Sequence, residues 1–429
     1  DTAIGFNGKE LTRMSSDTTD GFVLRVLKGG GLSSVIFTRE SDADKAIKTA
    51  MENVALLASS LKKPIRLAEG EAVNDTFLPE LKEDPRDVSK AEKLELVRKY
   101  NEVPLGYQKV VTTSLDYQEL IREKYFVNTE GSRIREDLVT TRLSGEITSK
   151  DGRLLENVRV RAGGSDGFHT IRGQDENMEE RTAIALDLLK ARPVKPGMYD
   201  IVLNPGLAGV FTHEAFGHFS EADIIETLPS MREKMKMGSR LGSEVLNIKD
   251  DATMPGQLGY YKYDDEGVRV RQVQLMKDGV LSGRLHSRRT AAEFGEPLSG
   301  HFIAEDYRYS PIVRMGTILI EPGTATFDEL IRTLRNGLYI LDAKGGQTSG
   351  ENFTFGAQYG YEVVDGKIAD MVRDVNISGN LYKTLADIVA VGNDLVLSKA
   401  GGCGKGQLNI RSCHGAPHVL VKNLVVGGV

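Results

Sequence analysis

Apolar residues recur at helical spacing over residues 41–61, where Ala43, Ile47, Met51, Val54 and Leu57 fall near one face. They do so again over residues 178–189, with Ala183, Ala185, Leu186 and Leu189 on the side predicted to be buried. Ser41 followed by Asp44 gives the first of these a cap signal. Residues 85–100 read as a charged helix whose stronger part opens at Ser89, its alternating Lys, Glu and Arg forming a solvated face. Residues 327–336 and 381–391 give two more helices. Elsewhere the period shortens to two: residues 21–27, 107–115, 123–128, 138–147, 154–162 and 198–204 read as strands. Turn signals at Glu130-Gly131, Asp151-Gly152, Asp265-Glu266-Gly267, Asp278-Gly279 and Asp365-Gly366 separate β-like runs. Pro205-Gly206 breaks the strand at 198–204, and a helix predicted from Leu207 runs past Glu221.

These elements predict an α+β protein of two domains. The helix over 178–189 ends before Pro193 and Pro196, which place the boundary. Residues 1–193 form a mixed α/β domain, and residues 194–429 a largely antiparallel β-sheet domain with a few helices against it. Composition narrows the class. With 40% hydrophobic and 27% charged residues the chain is not disordered. A net charge of −6 argues against a nucleic-acid binder. The 46 glycines are aperiodic, which excludes collagen and fits many tight turns. Two cysteines in 429 residues exclude a disulfide scaffold and favour a reducing compartment. No apolar run approaches the ~20 residues of a membrane helix. The chain starts at Asp1 with no signal-peptide pattern behind it, as a trimmed or processed start would.

The strongest chemical signal is Thr212-His213-Glu214-Ala215-Phe216-Gly217-His218. Imidazole binds zinc, and a carboxylate next to the first histidine can take a proton from an attacking water. The familiar zinc-peptidase spacing puts the histidines four apart. Here they are five apart, and on a regular helix five steps leave the rings about 140° from each other. Either a single π-type turn or a distortion at Gly217 would bring them together. The third ligand is open among Glu221, Asp223, Cys403 and Cys413. Cys403 lies in the glycine-rich run 400–406, which suits a loop approaching another element closely; Cys413 stands beside His414.

The His-Glu-Ala-Phe-Gly-His stretch after Val202-Leu203-Asn204-Pro205 resembles the metal-bearing, TldD-type members of the TldD/PmbA family. Similar blocks run through most of the chain. They include Asn128-Thr129-Glu130-Gly131-Ser132, Asp250-Asp251-Ala252-Thr253, Tyr263-Asp264-Asp265-Glu266-Gly267, Arg314-Met315, Glu321-Pro322-Gly323 and Gly345-Gly346-Gln347. Val391-Gly392-Asn393-Asp394, Cys403-Gly404-Lys405 and Val426-Gly427-Gly428 complete the set. The resemblance implies a cytoplasmic zinc-dependent peptidase, dimeric with itself or with a PmbA/TldE-like subunit. Its enclosed active site would admit only peptides or unfolded chains. His213 and His218 match the histidine ligands, Glu214 the catalytic glutamate and Cys403 the third ligand. The family is also described as a modulator of DNA gyrase, which reflects processing of peptide partners and implies no direct contact with nucleic acid. The chain departs from the pattern after Lys405, where Gln407 comes early and Arg411-Ser412-Cys413-His414 follows. It departs again at His301, where many members carry Asn, in a stretch that would line the substrate channel.

Other candidates are weaker. Asp250-Asp251 and Asp264-Asp265-Glu266 are read as hairpin turns in preference to a calcium site. Arg284, Arg288 and Arg289 with His286 read as a surface patch, with a clamp on a peptide carboxylate as the competing role. Lys405 lacks the spacing of a phosphate loop, and His169, His414 and His418 take no catalytic role. The expected reaction is metal-assisted peptide hydrolysis, with one Zn2+ on His213, His218 and Cys403 and Glu214 as base. Another divalent transition metal would also suit imidazole. The rival reading is a non-catalytic peptide-binding adaptor with a structural metal. A fourth ligand from Glu221 or His414 would favour it, because structural zinc sites close with four protein ligands.

Overall fold

The structure is a computed structural model and describes residues 1–399 and 401–427. Ala400, the first residue of the glycine-rich run, and Gly428, the last of the family blocks, lie outside the described residues.

Five strands and two helices build most of the N-terminal part. Thr2–Asn7 pairs on one side with Glu10–Ser16 and on the other with Val110–Val127. Val110–Val127 and Arg133–Asp151 form one continuous antiparallel hairpin, and Leu154–Gly164 lies beyond it. The apolar period breaks this hairpin into shorter pieces because charged residues interrupt it. Those charges are satisfied from elsewhere: Glu119 meets the buried Lys93 at 2.6 Å, and Lys124 meets Glu136 at 2.8 Å and Asp265 at 3.3 Å. Helices Lys90–Leu105 and Asp175–Leu188 cover the sheet, burying Val97, Tyr100, Met178, Ala185 and Leu188. Ser89 caps the first of them, accepting a bond from the Glu92 amide at 3.1 Å.

The helix predicted over 41–61 forms as Ala43–Ser60, but Ser41 is not its cap; the boundary residue is Asp42, and no side chain closes that end. It packs on the hairpin of Phe22–Lys28 and Gly31–Phe37. Gly31 is required there, since a Cβ would lie 2.5 Å from the Val54 carbonyl oxygen.

In the C-terminal part, Gly337–Ser349, Gly197–Leu203, Val419–Gly427, Asn376–Asn380 and Asn352–Val364 are hydrogen-bonded in that order. Asn352–Val364 pairs back onto Gly337–Ser349, so the ladder closes on itself. Only the contact of Gly197–Leu203 with Gly337–Ser349 is parallel within this ring. The turns Asp278-Gly279 and Asp365-Gly366 are two-residue hairpin loops with both residues left-handed, φ 48° and 75° in the first and 48° and 73° in the second. The helix predicted over 381–391 stops at Ala386, and the β-branched run Ile388–Val391 becomes a strand on Val419–Gly427.

A second sheet runs in the order Val280–Leu281, Val273–Lys277, Ile248–Asp250, Thr317–Ile320, Cys413–Ala416, Val396–Leu397. The helix that starts at Pro205 shares its core with both sheets. Phe211 meets Phe353 at a 5.3 Å ring separation, and Phe216 lies in the same buried cluster as Ile318. The histidine motif is thus carried on a helix embedded in the main apolar core of this half.

Candidate metal centre

Local sequence sets the helix start. Asn204 ends the strand and accepts the Leu207 amide at 2.8 Å, and Pro205 takes the first helical position, where its missing N–H costs nothing. Pro205–Phe211 is regular α-helix; Thr212–Phe216 then widens into a π turn in which the Gly217 N–H reaches the carbonyls of both Thr212 and His213. A tighter turn over Gly217–Ser220 follows, and the chain becomes extended at Glu221, so the helix ends before the point the sequence predicts. Of the two ways to bring residues five apart onto one face, the structure uses the widened turn. Gly217 has ordinary helical angles, φ −56° and ψ −47°. It is glycine because a Cβ would fall 2.1 Å from Met315 Sδ and 2.9 Å from Ile318 Cδ1.

The π turn places the His213 and His218 rings 5.3 Å apart and nearly perpendicular, at 87°. Cys403 arrives from the C-terminal loop with Sγ 3.6 Å from His218 Nε2, and Glu214 Oε2 stands 3.5 Å from the same nitrogen. One donor atom from each of His213, Glu214, His218 and Cys403 lies within 4.8 Å of all the others. These residues fit a zinc ion. Bonds of ~2.3 Å to sulfur and ~2.0 Å to nitrogen at a tetrahedral angle subtend about 3.5 Å, close to the sulfur–nitrogen separation present. His213 Nδ1 is moreover buried with no hydrogen-bond partner among the described residues.

Electrostatics match the geometry. Burial, then the neighbouring His218 and His414 rings, hold His213 well below the ordinary imidazole pKa, hence neutral. Burial works against a charged His218, yet Cys403, Glu214 and Glu221 together push it up to about 11. Burial would also raise Cys403, but His218 and Arg314 bring its thiol below the usual range. Both shifts favour the charged pair, and the electron-rich sulfur is the form that binds zinc.

The other candidates separate cleanly. Cys413 lies on a central strand, donates to the Ser398 carbonyl at 3.2 Å, and is pushed up to about 11 by burial. Glu221 and Asp223 are not among the four clustered donors; each contacts Lys405 instead, at 2.9 Å and 2.7 Å. His414 packs 5.9 Å from His213, ring to ring, and burial takes it down to about 4. The predicted surface patch is no patch: Arg284, His286 and Arg288 are buried, with Arg284 and His286 on Glu296 and Arg288 on Glu130. His301 is fully buried against Asp250 at 2.9 Å, in the wall of the fold. Asp264 closes a turn through the amides of Glu266 and Val268, as expected.

Sequence reasoning missed Arg314. It is the largest fully buried side chain among the described residues, and its Nη1 stands 3.2 Å from Glu221 Oε1 and 3.5 Å from His218 Nδ1. Against the cost of burial, Arg314, His218 and Lys405 hold Glu221 at about 2. The available signal was a lone arginine in the apolar run Ile312-Val313-Arg314-Met315.

Two imidazoles, a thiol and a carboxylate meet at a widened helical turn, a donor set that could hold a metal ion. Models of the PmbA/TldA metallopeptidase domain 1, central domain and C-terminal domain match residues 1–54, 83–192 and 196–428, and the chain belongs to this PmbA/TldD metallopeptidase family. It is 34% identical to a metalloprotease of Synechocystis, over 100% of this chain and 92% of that one. It is 32% identical to a zinc metalloprotease TldD homolog of Saccharolobus solfataricus, over 83% and 82%. In fold it is similar to a crystal structure described as a modulator of a DNA gyrase from Thermotoga maritima, with a TM-score of 0.82 and 22% identity over 99% of this chain and 93% of that one. It is likewise similar to TldE of Thermococcus kodakarensis, with a TM-score of 0.76 and 19% identity over 100% and 94%.

Proposed function

We propose that this chain is a zinc-dependent peptidase in which His213, His218 and Cys403 hold one ion and Glu214 is the general base. The observation that carries the reading is the convergence of these four side chains within 4.8 Å. Bound there, zinc would supply Lewis acidity toward the scissile carbonyl and the attacking water. Glu214, its side chain 36% exposed, takes the proton from that water and returns it to the leaving amine. His213, kept neutral by burial, offers a lone pair without a proton to displace. Glu221 and His414, whose entry as a fourth ligand would favour the adaptor reading, stand outside the cluster.

The substrate is an extended peptide. Gly337–Ser349 pairs with Gly197–Leu203 only through Leu338–Ile340, so residues 343–349 leave a free strand edge on that side among the described residues. Thr348 Oγ1 donates to the Glu214 carbonyl at 3.4 Å, which puts this edge beside the base. A peptide adding to it would be held through its backbone, largely independent of sequence. The site is enclosed by pairing with a second subunit of the same fold, either a copy of this chain or a TldE-like partner. Val23, Ile36, Ile47 and Leu56 in the N-terminal hairpin and its helix expose apolar surface for that pairing. No described helix is long and apolar enough to cross a membrane, and the cytoplasm is the proposed compartment.

Zinc content and peptide cleavage, measured together on wild type and Glu214→Gln, test the reading. The expected result is about one zinc per chain in both and cleavage in wild type alone. Cleavage at the wild-type rate by Glu214→Gln would remove Glu214 from the mechanism. Zinc without cleavage in wild type, with a TldE-like subunit supplied, would favour the adaptor.

A further inference from the structure

Among the described residues, Cys403 sits on a segment outside every sheet. Among these residues its backbone is tied only to Ile410, in an isolated bridge with N–H···O distances of 3.1 Å and 2.9 Å. Within the bridge Lys405 has φ 65°, a left-handed value that a residue bearing a side chain keeps only where tertiary contacts impose it. Lys405 has such contacts. Its Nζ donates to Asp223 Oδ1 at 2.7 Å and to the Val313 carbonyl at 2.9 Å, and lies 2.9 Å from Glu221 Oε2.

Glu221 is fully buried and faces both sides of the candidate site. The oxygen that meets Lys405 is also 3.2 Å from His218 Nδ1. A ring held at Nδ1 by this carboxylate turns its Nε2 toward Cys403 Sγ, 3.6 Å away. One carboxylate oxygen therefore orients a histidine and anchors the lysine two residues beyond the cysteine. Arg314 stands against the other oxygen at 3.2 Å, so two carboxylates, Glu221 and Asp223, are balanced by two cations.

We propose that Glu221, Lys405 and Arg314 form a positioning network that sets the separation of His218 and Cys403 and thereby the zinc affinity of the site. The proposal rests on the reading of His213, His218 and Cys403 as zinc ligands. Lys405 is the tether in this network: it ties the loop two residues beyond Cys403 to Glu221 and Asp223, next to His218, and is not itself one of the clustered donors.

Zinc affinity of the full chain, by competition with a chromophoric chelator, and the absorption of the cobalt-substituted protein test it. Lys405→Met is expected to weaken zinc binding about 10- to 100-fold and to reduce the sulfur-to-cobalt charge-transfer band. Lys405→Arg should recover most of both. Asp223→Asn, which keeps the lysine but removes one acceptor, should give a smaller loss in the same direction and carries the test if Lys405→Met does not fold. Wild-type affinity and an unchanged charge-transfer band in Lys405→Met, or in Asp223→Asn where it stands in, would overturn the network. His213→Ala and Cys403→Ala separate this failure from that of the ligand reading: zinc retained at wild-type affinity in both would sink the ligands themselves, and the network with them.

Discussion

The two pieces of chain that meet at the candidate site are built in opposite ways. The helix from Pro205 is specified locally, by the Asn204 cap, the proline behind it and a motif that places His213, Glu214 and His218 within six residues. The loop that carries Cys403 has an isolated bridge to Ile410 as its local structure. Its position comes from distant contacts: Lys405 reaches partners 92 and 182 residues away, and Gln407, Leu408 and Asn409 bond to Glu305 and Ser310. A donor on the helix can be read from a short stretch of sequence, whereas a donor on the loop depends on contacts that only the fold brings together.

The largest expected effect breaks the loop half. Cys403→Ala should abolish zinc retention through a desalting column, while Cys413→Ala keeps it, since Cys413 is bonded inside a sheet away from the cluster. Zinc lost only from Cys413→Ala would reverse the assignment.

Next in size is the carboxylate shared by the two halves. Glu221→Gln leaves Arg314 buried without its counter-charge and should cost about 3–5 kcal/mol at neutral pH, read by urea unfolding. Because the folded pKa of Glu221, about 2, lies below its ordinary 4.5, its stabilisation is present above pH 4.5 and is lost as pH falls toward 2. The metal-free wild type should therefore lose stability across that window more steeply than Glu221→Gln; equal slopes would show that the carboxylate does not carry the linkage.

A smaller effect sharpens the helix half. Gly217→Ala must displace Met315 and Ile318 and should destabilise by about 1–2 kcal/mol, with zinc affinity falling as the π turn shifts. A neutral result would mean that Met315 moves aside freely. The smallest effect belongs far from the site. Ser89→Ala should cost about 1 kcal/mol through loss of a helix cap and leave zinc affinity untouched.

The same contrast governs what could be read in advance. Periodicity found the helices over Ala43–Ser60 and Asp175–Leu188, and the Asp-Gly turns found hairpins, because both signals are local. It fragmented the strands Val110–Val127 and Arg133–Asp151, whose interior charges are neutralised by residues from other elements. It overran at Ala386 because Ile388–Val391 has a strand partner more than 25 residues away in Val419–Gly427. At the site, the five-residue histidine spacing was legible as requiring a distortion, and the widened turn is one of the two forms anticipated. Arg314 and the role of Lys405 were not legible, since a buried arginine and a glycine-flanked lysine acquire meaning only from what they touch.

The helix and the loop are proposed to contribute to one metal centre. X-ray absorption at the zinc edge of the zinc-loaded protein tests it most directly. The expected result is one sulfur at ~2.3 Å and two imidazole nitrogens at ~2.0 Å, the remaining scatterers being light. A shell of nitrogen and oxygen alone would contradict it, because Cys403 would then lie beside the metal without binding it.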